Sequence, residues 1–97
     1  MATKFIQIIE FDTDKLDEMR KLDEQYEKDT KGRSTDTRAI VCRDRDKPGH
    51  YFAIVEFASH EDAEKNDALP ETQAFAEQMM KISKNPEFHN LDVQYEM

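Results

Sequence analysis

Apolar and polar residues follow two rhythms along this chain, and turn-forming residues separate the stretches. Lys4 to Phe11 is rich in Ile and Phe and predicts a strand, because β-branched and aromatic side chains suit a pleated surface. Phe5, Gln7, Ile9 and Phe11 share one of its faces, and Lys4, Ile6, Ile8 and Glu10 share the other. From about Asp14 to Lys28, Leu16, Met19, Leu22 (or Asp23 in strict register) and Tyr26 recur at helical spacing among charged residues. That spacing predicts a helix with one buried stripe. Thr13 or Asp12 is placed to cap it, and Asp14 and Asp17 put negative charge at the positive end of its dipole. Lys28 to Thr37, with its charges, hydroxyls and Gly32, reads as a loop. Thr37–Arg45 and Tyr51–Ala58 read as strands joined by the turn Asp46-Lys47-Pro48-Gly49, an antiparallel hairpin.

Ser59, with Asp62 three residues on, resembles a capping box for a helix containing Ala63. Pro70 interrupts that helix and fits the first turn of a fresh segment, where its missing N–H costs nothing. Phe75, Met79 and Ile82 form the stripe of this segment, Asn85-Pro86 ends it, and Phe88 to Tyr95 alternates as a last strand. The order βαββαβ predicts an α+β ferredoxin-like sandwich: a four-stranded antiparallel sheet with two helices on one face. The first and third strands, however, are apolar on both faces. Ile6 and Ile8 back onto Phe5 and Ile9; Phe52 and Ile54 back onto Val55 and Phe57. Two helices cover one face only, and monomers rarely expose an apolar patch of several hundred Å². A homodimer packed through the second face resolves this and closes an α/β barrel.

The composition bounds the rest. The 97 residues make a single domain, 1–97. A formal net charge of -8 repels phosphate, so neither a nucleic acid nor an anionic membrane is the expected partner. The opening MATKFIQIIEF has too short an apolar run for a signal peptide or membrane helix. One cysteine, Cys42, excludes an internal disulfide and fits a reducing, cytoplasmic setting; it is expected buried and inert. Two glycines leave no phosphate-cradling loop.

Chemistry-bearing residues are sparse. Gln7 sits between Ile6 and Ile8, so its amide is either satisfied internally or points into a pocket and bonds a ligand. Asn66 precedes the Pro70 break and either caps a helix or lines a pocket there. His50, His60 and His89 stand at no metal-ligand spacing from one another or from Cys42 and read as surface histidines, with no metal expected. Arg33, Arg38, Arg43 and Arg45 either grip an anionic ligand or, as is more usual, pair with Asp36, Asp44 and Asp46 beside them. No Ser-His-Asp set or isolated carboxylate pair can be ordered, so any catalysis rests on a shaped apolar pocket with a few polar groups.

The opening FIQIIEF, the stretch YFAIVEFASHEDAEK, the interrupted NDALPETQAFAEQM and the closing PEFHNLDV together resemble the dimeric α/β-barrel superfamily. The resemblance is to the antibiotic-biosynthesis-monooxygenase-like branch and its uncharacterised bacterial members. It implies a small-molecule pocket between helices and sheet near the broken helix, and places Gln7, Phe57, Asn66, Phe75 and Met79 along it. It also implies, for a catalytic member, a cofactor-independent monooxygenase acting on an aromatic, phenolic or quinol-type substrate, with Gln7 and Asn66 orienting a substrate oxygen. Haem-degrading relatives would put their pocket Asn on Gln7, their Trp on Phe57 and their haem ligand between Phe75 and Met80. No His stands there and the chain has no Trp, so no haem and no other cofactor is expected. The alternative is a dimerisation or accessory module without a substrate.

Overall fold

The computed structural model describes residues 3–97. The elements are β1 (Phe5–Asp12), α1 (Leu16–Asp29), β2 (Asp36–Arg43), β3 (His50–Phe57), α2 (His60–Asp67), α3 (Pro70–Ile82) and β4 (Lys84–Asp92). The strands form one antiparallel sheet in the order β2-β3-β1-β4, the ferredoxin-like arrangement that the element order predicts. The long middle strands, β1 and β3, pair in unbroken register from Phe5↔Phe57 to Asp12↔His50.

The local signals explain most boundaries. The Ser59 side chain accepts a hydrogen bond from Asp62 N at 3.1 Å and starts α2. Pro70 stands in the first turn of α3 after Leu69. The β2–β3 turn closes through His50 N to Lys47 O, with Gly49 at φ +79. Two boundaries differ from expectation. Thr13 does not cap α1, which begins after Lys15; its hydroxyl accepts from Lys15 N and donates to Ile82 O at 2.6 Å, tying the start of α1 to the end of α3. β4 starts at Lys84, ahead of Asn85-Pro86, because β4 is an edge strand where a missing N–H costs no ladder bond. Asn85, at φ 54, sits where the β1–β4 register shifts, so the irregularity is a bulge and not the end of pairing. Strand geometry ends at Asp92, although Val93 N still donates to Lys4 O.

The register sorts the strands into two faces. Phe5, Gln7, Ile9 and Phe11 share a face with Tyr51, Ala53, Val55 and Phe57 of β3. Here Phe5 and Phe57 (2 % exposed) pack with Ala63 of α2, and Val55 packs against them. Tyr26 of α1 stacks on Phe75 of α3 at 4.5 Å and hydrogen-bonds Asn66 of α2, so the three helices form one layer over this face. The opposite face carries Ile6, Ile8, Phe52, Ile54, Ile40 (38 % exposed) and Leu91 (45 % exposed). Cys42 shares it and is exposed rather than buried, because β2 is an edge strand and no helix covers that side.

Candidate functional site

Between sheet and helices the side chains at one end are buried, and Gln7, Ile9 and Val55 in the middle are half-buried. At the closed end Phe5, Phe57 and Ala63 fill the layer. Above them a polar net locks the helices together. The Tyr26 hydroxyl lies 2.7 Å from Thr72 Oγ1 and accepts from Asn66 Nδ2 at 3.2 Å; Asn66 Oδ1 accepts from Thr35 N at 3.4 Å. Thr30, only 1 % exposed, donates to Tyr26 O and ends α1. Buried polar groups cost little only when paired in this way.

Met19, Asp23, Tyr26 and Thr30 follow one another at helical spacing, so Asp23 stands in the middle of the inward stripe of α1. Its carboxyl is half-buried. Burial, helped by repulsion from Glu27, pushes its pKa up to about 6. Among the described residues no hydrogen bond or ion pair to Asp23 offsets that shift. A carboxylate so placed ionises near neutrality and can take a proton from a weakly acidic hydroxyl.

The five predicted lining residues fall into two groups. Gln7 lies on the helix-facing side of β1, half-buried, with Nε2 3.3 Å from Asn90 Oδ1 of β4. Phe75 and Met79 are half-buried on α3, Phe75 against Tyr26. Phe57 and Asn66 belong to the closed end: Phe57 is packed in the core, and both ends of the Asn66 amide are engaged. Beside Gln7 on the same face, Asn90 and Phe88 (59 % exposed) of β4 border the open edge. Two open depressions lie elsewhere. One of about 470 Å³ is lined by Glu24, Glu27, Lys28 and Lys31. One of about 260 Å³ is lined by Asp12, Thr13, Asp14, Pro48, Gly49, Ile82 and Lys84.

Asp23 and Tyr26 were not among the predicted lining residues. The strict-register alternative to Leu22 was the available signal for Asp23, since an acid on an apolar stripe is either paired or shifted. Arg33 also takes a partner other than the nearby aspartates: it pairs with Glu71 of α3 and donates to Asp29 O.

No family model matches the chain, and no curated protein matches it in sequence. Solved structures match it in shape. A variant of SnoaB, a cofactor-independent oxygenase from Streptomyces nogalater, superposes with TM-score 0.83 at 18% identity, covering 99% of this chain and 98% of its own. A Caulobacter crescentus protein, provisionally assigned as an antibiotic biosynthesis monooxygenase, gives 0.82 at 14%, covering 97% and 92%. A Nitrosomonas europaea protein with the same provisional assignment gives 0.78 at 9%, covering 98% and 94%. Across nearly its whole length the chain has the ferredoxin-like fold of antibiotic-biosynthesis-monooxygenase-like proteins.

Proposed function

We propose that the protein is a cytoplasmic homodimer that binds a small aromatic or quinol-type molecule between its helices and sheet and oxidises it as a cofactor-independent monooxygenase. The observation that carries this reading is Asp23, a half-buried carboxyl on the same helical stripe as Met19 and Tyr26. The fold shared with a cofactor-independent oxygenase supports it.

In this reading Phe75 and Met79 wall the ring, and Gln7, steadied by Asn90, holds a substrate oxygen. Asp23 takes the proton from the substrate hydroxyl, and the electron-rich anion passes electrons to dioxygen. One oxygen atom stays on the substrate as a carbonyl and the other leaves as water, so the substrate supplies both electrons and no separate reductant is needed. Phe57 and Asn66 act from the closed end, by packing and by holding the Tyr26 hydroxyl. The bare sheet face, with Ile6, Ile8, Phe52 and Ile54, supports the dimer.

The test is oxygen uptake with anthrones and naphthohydroquinones, alongside thermal shift with the same compounds. A substrate raises the melting temperature, because a ligand that binds only the native state stabilises it. Asp23→Asn keeps that binding and lowers turnover at least about tenfold, the smaller end of what a general base contributes. Absence of any melting shift across the series overturns the reading. That outcome favours the dimerisation module without a substrate, which the packing of Phe57 into the core also supports.

A further inference from the structure

Glu10, Asp12, His50, Glu87 and His89 meet on the helix-free face of the sheet. Cross-strand pairing puts Glu10 opposite Glu87, Ile8 opposite His89 and Asp12 opposite His50, so all five side chains leave three adjacent strands on one side. Ligand-type atoms of Glu10, Glu87 and His89 lie within 4.8 Å of one another. The two carboxylate oxygens of Glu10 each meet a different imidazole. Oε1 is 3.0 Å from His50 Nε2, and Oε2 is 2.7 Å from His89 Nε2. Donors around a tetrahedral zinc ion sit about 3.3 Å apart, so Glu10, Glu87 and His89 need only small rotamer movements to ligate, while His50 stands outside that group and joins it by turning in from the other oxygen of Glu10.

What separates this corner from an ordinary surface ion pair is the outer ring. His50 Nδ1 lies 2.7 Å from Asp12 Oδ1, and Asp12 Oδ2 accepts from Asn85 Nδ2 at 3.0 Å. Each ring nitrogen of His50 faces an acceptor carboxylate, so both carry a proton here; a metal ion would displace the proton on Nε2 while Asp12 kept the Nδ1–H, the arrangement that supports metal-bound histidines. Asn85 is in turn fixed by the β4 bulge, at φ 54. Glu87 makes no ion pair among the described residues, and three carboxylates against two imidazoles leave negative charge for a cation to neutralise. The donors ride on paired strands, so little conformational freedom is lost on binding.

We propose that Glu10, Glu87, His89 and His50 form a site for one divalent transition-metal ion, with zinc best matched to this nitrogen-and-carboxylate set. Asp12 is a positioning residue that orients His50. The site lies on the opposite side of the sheet from the proposed pocket, at a corner of the face through which the dimer is proposed to pack, so it is independent of the pocket chemistry but not of the assembly.

The experiment is calorimetric titration of tag-free, chelator-stripped full-length protein with zinc chloride at pH 7.5. One ion per chain is expected, with a Kd of about 10 μM or tighter, the range in which a site outcompetes single surface histidines. His89→Ala weakens binding by at least about thirtyfold, and Asp12→Asn by about tenfold, as loss of a metal-supporting carboxylate does. Glu87→Gln, nearly isosteric on an exposed edge strand, weakens it while leaving the circular dichroism unchanged. His60→Ala, which removes the separate exposed pair with Glu64, binds as the parent does. Cobalt(II) in place of zinc gives visible absorption bands that His89→Ala removes. The proposal is overturned by uptake only in the millimolar range, or by His89→Ala and Glu87→Gln proteins that bind as tightly as the parent.

Discussion

The two faces of the sheet are written in alternate residues of the same strands, yet they are built differently. On the helix-covered face, Phe5, Phe57 and Ala63 bury one another, and Asn66 beside them is paired with both Tyr26 and Thr35. On the bare face, Ile8, Ile54 and Ile40 form a row across three strands, and the polar residues gather at one corner around Glu10. The first face has its partner within the chain; the second is apolar beyond what one chain covers. Neighbouring residues of one strand therefore answer to different requirements, and substitutions at them separate folding from association.

The largest effect is expected on the covered face. Phe57→Ala costs about 3–5 kcal/mol by urea unfolding, because the ring sits in a filled core with little room to collapse. A cost below about 1 kcal/mol would mean that this end is not packed. Next comes the bare face. Ile8→Lys leaves the far-UV circular dichroism intact and weakens self-association at least about a hundredfold by sedimentation equilibrium, since a charge in the middle of an apolar contact must be desolvated. An unchanged association constant would break the assignment of that face.

Within the covered face, the middle is distinguished from the closed end by Gln7 and Asp23. Gln7→Ala weakens aromatic-ligand affinity about tenfold, the worth of one or two hydrogen bonds, without unfolding the protein. Unchanged affinity in a calorimetric titration counts against Gln7 as a ligand contact. Asp23→Asn stabilises the protein by about 1 kcal/mol at pH 7.5, a figure reduced from the full shift because water partly screens the carboxyl. The sign follows from its pKa of about 6 against an ordinary 3.8. Ionisation is penalised in the folded state, so the penalty is absent below about pH 3.8, grows as pH rises, and is complete above about 6. A variant equally stabilising at pH 3 would contradict this cause.

The smallest effect is the pH response of the Glu10 corner in chelator. His50 is held above its ordinary 6.5 by its bonds to Asp12 and then Glu10, so its contribution is full below that value and lost as pH rises through the folded pKa. Glu10 is held below its ordinary 4.5, first by His50 and then by His89, so its contribution is present above 4.5 and lost as pH falls through the folded pKa. The corner is therefore most stabilising between about pH 4.5 and 6.5, and His50→Ala flattens the stability profile over that window. A profile identical to the parent's would show that these contacts do not form in solution.

Local signals made most of the fold legible. Alternation marked the strands, Ser59 marked the start of α2, and Pro70 marked the start of α3. Asn85-Pro86 misled because the residue pair alone does not say whether a strand is internal or at an edge, and only an edge tolerates it. The helix-facing side of Gln7 and the inward packing of Phe75 were legible because faces follow from period. Asp23 was obscured by Leu22 beside it, which satisfies the apolar stripe nearly as well. The Glu10–His50–His89 corner was invisible for a different reason: its members lie forty and more positions apart, and the ladder register that joins them appears in no local pattern.

The account turns on the bare face being covered by a second copy of the chain. Light scattering coupled to size exclusion at about 10 μM, a concentration well above the dissociation constant of a stable dimer, tests it directly. The account predicts a particle of twice the 11.4 kDa of one chain, reverting to a single chain in Ile8→Lys. A monomeric parent with its isoleucine row open to water would contradict it.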